Sequence, residues 1–167
     1  MFLLLGFGTV LCEEVLAAFA NHLTEGFSFI LYVVRIGQFW AVNLFTFFGF
    51  VCGWCVLSKY FDFTGREMFY LAGIWGLYAE KVVFSIPSVP LFVFFDLSPT
   101  ILTYGLIITP AMLSQQARAD RWHVHPVLKY PLAYAVILLF GLPAIGILIM
   151  LRQRFPEFFP PESMVSV

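Results

Sequence analysis

Long apolar runs separated by short polar stretches dominate the chain. A transmembrane helix needs about 20 mostly apolar residues, and runs of that length recur along the sequence. The pattern predicts helices over residues 2–22, 26–61, 66–86, 99–117 and 131–151. The second run is too long for one straight crossing at about 1.5 Å per residue, so we expect it to bend near Gly37.

The third predicted helix has the clearest start, and the segment after it is the least regular. Thr64 and Glu67 match a capping box, in which each side chain bonds the backbone N–H of the other residue. Ser98 and Pro99 fit the N-cap and first residue of the fourth helix. Because prolines end the third helix well before that point, residues 87–98 are predicted to form one broken or irregular segment between the third and fourth helices.

The predicted fold class is therefore all-α: a polytopic integral membrane protein with a bundle of about five transmembrane helices. Residues 1–154 are expected to form a single transmembrane helical domain, and residues 155–167 a Pro-rich surface tail. With five spans, the loops 58–66 and 114–130 share one side of the membrane. These loops carry slightly more Lys and Arg than the other side, which predicts a cytoplasmic location for both.

Composition excludes the main classes of soluble protein. Of the 167 residues, 61% are hydrophobic and 11% are charged, whereas soluble domains have about 45–50% and about 25%. A small soluble domain cannot bury that much apolar surface. The net charge of −1 and the scattered basic residues argue against a nucleic-acid partner. The expected partners are the lipid bilayer and either other membrane subunits or further copies of this chain.

Two acidic residues and a histidine in the first predicted helix are catalytic candidates, because charged groups inside a membrane are costly. Glu13 and Glu14 lie near its middle, and His22 follows two turns after Glu14, near the same face. A carboxylate and an imidazole on one face can bind a metal or act as an acid–base pair. The alternative is a tilted or interfacial helix whose carboxylates lie among lipid headgroups.

A second group of charged residues suggests an ion or proton path. Glu80 follows a stripe of small residues on the third predicted helix, where another helix can approach closely, with Arg35 as a potential ion partner. Lys81 can extend towards the nearer interface. Asp96 lies in the predicted irregular segment, an arrangement that resembles the discontinuous helices of transporters. The alternatives are an ion pair that fixes packing and support for a helix N-terminus.

His123 and His125 are weak metal-binding candidates. In a strand, two histidines at this spacing would share a face and could bind one metal ion. In a loop at the membrane surface they are more simply explained as solvated side chains. The chain contains neither a P-loop nor a dinucleotide-binding fingerprint, so the sequence assigns no cofactor and no enzyme class.

Three functions are compatible with these features. The first is a non-catalytic or accessory subunit of a larger membrane complex, which suits the small size, the short polar loops and the lack of a coherent catalytic set. The second is a small transporter or a proton- or ion-conducting protein that uses intramembrane carboxylates. The third is a membrane-embedded enzyme that acts on an apolar or lipid-like substrate.

Overall fold

The computed structural model describes residues 1–25, 28–85, 90–114 and 121–159. Within those ranges the chain is all-α, as the hydrophobic pattern predicts, and contains no strand. The helices are α1 (Phe2–Glu25), α2 (Phe29–Thr46), α3 (Phe48–Tyr60), α4 (Gly65–Ala79), α5 (Val82–Ser85), α6 (Pro90–Leu113) and α7 (Pro126–Arg154).

Three of these helices are long and apolar enough to cross a membrane. They are α1 over Phe2–Ala20, α2 over Phe29–Thr46 and α7 over Pro126–Arg154. Little of their surface is covered by the protein, since 22% of the apolar stretch is buried in α1 and α7 and 6% in α2. Contiguous exposed apolar surface of this kind is typical of contact with lipid or with another protein.

The long second run is interrupted at Phe47 and not at Gly37, where the sequence predicts a bend. α2 continues through Gly37, because a glycine weakens a helix by about 1 kcal/mol without removing its backbone hydrogen bonds. At the end of α2, Thr46 Oγ1 donates to the carbonyl oxygen of Val42 at 3.2 Å, a bond that competes with the helix ladder. The Phe47 N–H still donates to the carbonyl oxygen of Asn43 at 2.9 Å, so α2 and α3 join with little loss of helical bonding.

Most of the segment predicted to be irregular is helical. α6 begins at Pro90 and continues through Ser98 and Pro99 to Leu113, so Ser98 is not an N-cap. A proline is well suited to the first position of a helix, which explains the earlier start. Pro99 removes one backbone hydrogen bond, a loss that apolar helices tolerate when their neighbours compensate. Residues 86–89 lie outside the described part of the chain.

α4 starts where the sequence predicts and ends earlier. The Glu67 N–H donates to Thr64 Oγ1 at 3.2 Å, and the Thr64 N–H donates to Glu67 Oε2 at 2.8 Å, so the capping box is formed. The helix stops at Ala79 instead of continuing to residue 86, because Lys81 adopts a left-handed backbone with φ of 59°. A residue other than glycine in this conformation costs about 1–2 kcal/mol.

The chain forms two compact units. The first consists of Met1–Gly6 and Trp54–Tyr134, and the second of Phe7–Gly53 and the described chain from residue 135 onward. In the first unit, a methyl group on Gly73 of α4 would lie 2.6 Å from Ile101 of α6, so the predicted stripe of small residues lies at a close helix contact. Small residues allow apolar helices to approach closely without a hydrophobic driving force.

Glycine also brings two helices together in the second unit. A Cβ atom on Gly49 of α3 would overlap the backbone of Gly141 in α7, and one on Gly53 would lie 2.9 Å from Ile137. The predicted surface tail follows α7 in this unit. Gln38 Nε2 of α2 donates to the carbonyl oxygen of residue 157 at 3.0 Å, which ties the beginning of the tail to α2.

Candidate functional site

A polar seam joins α1 to α2 in the second unit. Asn43 Nδ2, near the C-terminal end of α2, donates a hydrogen bond to Glu14 Oε1, near the middle of α1. Trp40 and Tyr32 donate side-chain hydrogen bonds to backbone carbonyls of α1 at 3.1 and 3.2 Å. Side-chain hydrogen bonds between helices in a membrane contribute about 0.6–2 kcal/mol each, so the seam holds α1 against α2.

The catalytic candidates of α1 have different surroundings. Glu13 and Glu14 are both half-buried, but adjacent helical residues point about 100° apart, and the Glu14 carboxylate is bound by Asn43. His22 belongs to the same uninterrupted helix, about 12 Å further along its axis than Glu14. The His22 side chain lies outside the described residues. The contact made by Glu14 is thus a helix–helix hydrogen bond within the seam.

Glu80 is bound by a residue of α6. Its Oε1 accepts a hydrogen bond from the hydroxyl of Tyr104 at 2.6 Å. Tyr104 is buried and its ring packs against Gly76 of α4, where any Cβ atom would overlap it. Gly76 therefore lets the tyrosine ring cross the surface of α4 and reach the carboxylate one turn later.

The other residues of the predicted ion path are spread over several elements. Lys81 forms the left-handed break directly after Glu80 and is exposed. Asp96 lies inside α6, and its side chain is outside the described residues. Arg35 belongs to α2, in the second unit.

Both histidines before α7 have a polar contact within the protein. His123 Nδ1 lies 3.1 Å from Asp62 Oδ2. His125 Nδ1 accepts a hydrogen bond from the Val127 N–H at 3.4 Å, which is the role of an N-cap side chain. Among the residues that the structure describes, no group of three or more His, Cys, Asp or Glu side chains is arranged to bind a metal ion.

A polar site that the sequence analysis does not single out joins the start of α4 to the first turn of α7. Lys129 Nζ lies 2.5 Å from Glu67 Oε1, and the two side chains are 8% and 19% exposed. Lys129 Nζ also donates to the carbonyl oxygen of Asp62 at 3.0 Å, and the Tyr130 hydroxyl donates to Glu67 Oε1 at 2.9 Å. Nζ lies 4.8 Å from the ring centroid of the buried Phe63, a favourable cation–π contact.

The electrostatics of the site favour the charged form of Glu67. Burial raises the pKa of Glu67, but hydrogen bonds from Lys129, Thr64 and Tyr130 outweigh this effect and lower the pKa to about 2. Glu67 lies in the first turn of α4, outside the three helices long enough to cross a membrane. The carboxylate is therefore ionised at neutral pH and keeps its pairing with the lysine.

Backbone hydrogen bonds connect the same two loops. The Trp122 N–H donates to the carbonyl oxygen of Tyr60 at 2.8 Å, and the Asp62 N–H donates to that of Trp122 at 3.3 Å. The Trp122 ring packs edge to face against Phe61, with centroids 5.8 Å apart. We call residues 59–67 and 121–130 the loop clasp. Residues 59–67 and 121–130 are therefore in direct contact.

A signal for the ion pair was present in the sequence. Glu67 occupies the first turn of a helix, and Lys129 lies close to the start of another, in loops predicted to share a side. The sequence analysis starts the last helix at Pro131 and therefore assigns Lys129 to the preceding loop, where no pairing with Glu67 is predicted. In the structure α7 begins at Pro126, which places Lys129 on the first turn and directs it into the protein.

Comparison with known proteins adds no family to this picture. The chain matches no protein-family model, no curated protein and no solved structure. Three features of the molecule bear on its function: the helix–helix hydrogen bonds of Glu14 and Glu80, the loop clasp, and the uncovered apolar surface of α1, α2 and α7.

Proposed function

We propose that this chain is a small integral membrane protein that acts as a non-catalytic or accessory subunit of a larger membrane complex. The observation that carries the proposal is the use of its acidic groups. Glu14 is bound by Asn43, Glu67 by Lys129 and Glu80 by Tyr104. Polar bonds of this kind fix helix packing in membranes, and this structural role supports the proposal of a non-catalytic subunit.

We further propose about five membrane spans. Besides α1, α2 and α7, the chain has α6, whose 24 residues would extend about 36 Å, enough for a hydrocarbon core of about 30 Å. The remaining span begins after Glu67 and consists of the rest of α4 and of α5, interrupted at Lys81. This arrangement places the loop clasp on one side, which the positive-inside rule makes the cytoplasmic one.

The exposed apolar surface supports a partner in addition to lipid. Large hydrophobic side chains are exposed along α2 and α7, including Ile30 of α2 at 75% and Leu139 of α7 at 69%. In a complex, neighbouring subunits cover part of such a surface and lipid covers the rest.

Site-specific photocrosslinking in native membranes tests the proposal. A photoreactive amino acid would replace Ile30 or Leu139, and Phe158, 67% exposed beyond α7, would serve as the matched control position. We expect at least one helical position to give a discrete crosslinked protein of constant mass that the control position does not give. Crosslinks to lipid alone at both helical positions would contradict the proposal.

Proton or ion conduction is the second candidate function, favoured by the break beside Glu80. Discontinuous helices and intramembrane carboxylates occur together in transporters, and the carboxylate here lies at the left-handed turn of Lys81. If the chain conducts protons, Glu80→Gln should abolish their flux into liposomes, while Glu157→Gln, in the tail, should leave it unchanged. Equal flux for Glu80→Gln and the native chain would exclude this function.

A further inference from the structure

The loop clasp carries more basic than acidic side chains, since it contains Asp62 and Glu67 but Lys59, Arg66, Arg121 and Lys129. Asp62 lies against His123, and Glu67 is bound by the buried Lys129. Lys59 and Arg66 are exposed, as is the Asp62 carboxylate beside His123.

Two aromatic side chains accompany these cations. Tyr60 is 45% exposed and Trp122 is 65% exposed, and their ring centroids lie 6.2 Å apart. Lys59 Nζ lies 5.3 Å from the Tyr60 ring centroid, which sets a cation beside the aromatic pair. Tyrosine and tryptophan are enriched at the membrane–water interface, where one edge of the ring is wet and the rest is apolar.

The location of the loop clasp fits that interface. α3 ends at Tyr60, α4 begins at Gly65 and α7 begins at Pro126, so three helix ends meet at the loop clasp. α7 is apolar enough to span a bilayer from this end. If it does, the residues just before Pro126 lie at the depth of the lipid headgroups.

We propose that the loop clasp binds anionic phospholipid headgroups, with Lys59 and Arg66 at the phosphate groups and Tyr60 and Trp122 in the headgroup layer. The proposal rests on the membrane placement proposed above. Anionic lipids are abundant in the cytoplasmic leaflet and attract basic residues next to a membrane span. The backbone bonds of Trp122 to Tyr60 and Asp62 hold the loop that carries Trp122 against the loop that carries Lys59, Tyr60 and Arg66.

The test compares phosphatidylglycerol with phosphatidylcholine on the full chain in a neutral detergent, using native mass spectrometry to measure the dissociation constant of each lipid. The variant K59Q/R66Q removes two exposed charges from the loop clasp. R152Q/R154Q removes the same number from the last turn of α7, and K59R/R66K retains both charges. Equal thermal unfolding of all four proteins shows that the fold is retained.

We expect the native chain to prefer phosphatidylglycerol. One Lys or Arg near an anionic surface contributes roughly fivefold in affinity, so K59Q/R66Q should weaken binding of this lipid roughly 30-fold. R152Q/R154Q and K59R/R66K should retain the preference. Equal affinity for the two lipids, an equal loss in both Gln variants, or displacement of the lipid by an equal concentration of inorganic phosphate would overturn the proposal.

A failure of the underlying membrane placement has a separate readout. Reconstituted into phosphatidylcholine vesicles, the native chain should resist extraction by alkaline carbonate. Extraction would overturn the membrane placement and the lipid site together, whereas retention without a preference for phosphatidylglycerol would overturn the lipid site alone.

Discussion

The ion pair between Glu67 and Lys129 permits the sharpest test of the structure. The perturbation is Lys129→Met, which keeps much of the side-chain length and removes the charge. It eliminates the 2.5 Å contact with Glu67, the hydrogen bond to the Asp62 carbonyl and the cation–π contact with Phe63. The variant therefore leaves a largely buried carboxylate without its cation.

The expected loss of stability follows from the burial of the pair. Removing one partner of a buried ion pair costs about 3–5 kcal/mol. We expect the lower end, about 3 kcal/mol, because Glu67 is 19% exposed and keeps its bonds from Thr64 and Tyr130. For a chain of this size, each kcal/mol corresponds to about 2–4 °C in the midpoint of thermal unfolding, so the midpoint should fall by about 6–12 °C.

The assay is thermal unfolding in a neutral detergent, followed by near-ultraviolet circular dichroism, for K129M, E67Q and the double variant. Each single variant should lose about 3 kcal/mol, and the double variant should lose clearly less than their sum, because neither charge is then left without its partner. Lys59→Met is the matched control, since Lys59 is exposed, and it should change stability by less than about 0.5 kcal/mol. Additive losses in the double variant, or a K129M effect no larger than that of the control, would refute the reasoning.

Three further predictions concern other parts of the chain. Asn43→Leu removes the bond to Glu14 between α1 and α2 and should destabilise the protein by about 1–2 kcal/mol in the same assay. An unchanged midpoint of thermal unfolding would contradict the claim that this bond holds α1 against α2. Lys81→Gly removes the cost of a left-handed backbone at a residue with a side chain and should stabilise the protein by about 1 kcal/mol. A loss of stability would show that the contacts of the lysine side chain contribute more than the backbone strain costs. Because the pKa of Glu67 is lowered from 4.5 to about 2, its contribution to stability is complete above pH 4.5 and is lost as the pH falls towards 2. Over that interval the native midpoint should fall more steeply than that of E67Q, and parallel curves would be inconsistent with the shift.

Local signals in the sequence were sufficient for the class of fold and for one helix start. The apolar runs predict an all-α chain because each is long enough to form a membrane helix, and three described helices meet that requirement. The capping box at Thr64 and Glu67 is formed as predicted, because its two bonds lie within four residues and need no tertiary partner.

Signals that depend on competition between neighbouring residues were less reliable. Gly37 and Pro99 both weaken a helix, yet α2 and α6 pass through them, because the surrounding bonds outweigh one weak position. The interruption at Lys81 has the opposite origin. Nothing about a lysine favours a left-handed backbone, so the break depends on tertiary context that the sequence pattern does not contain.

The functional groups show the same limit. The sequence identified Glu14 and Glu80 as costly groups inside apolar helices, but their partners Asn43 and Tyr104 lie 29 and 24 residues away along the chain. Such pairings depend on which helices pack together. Glu67 and Lys129 are 62 positions apart, and their pairing additionally required the correct start of α7.

The measurement that most directly tests the proposed role as a subunit is the intact mass of the native assembly after gentle extraction from its own membrane. The chain alone has a mass of 19.0 kDa. The proposal predicts an assembly in which this chain and a defined set of different proteins occur in fixed ratio across independent preparations. A particle that contains only this chain, as a monomer or as identical copies, would contradict it and would make Glu80 the first residue to test for conduction.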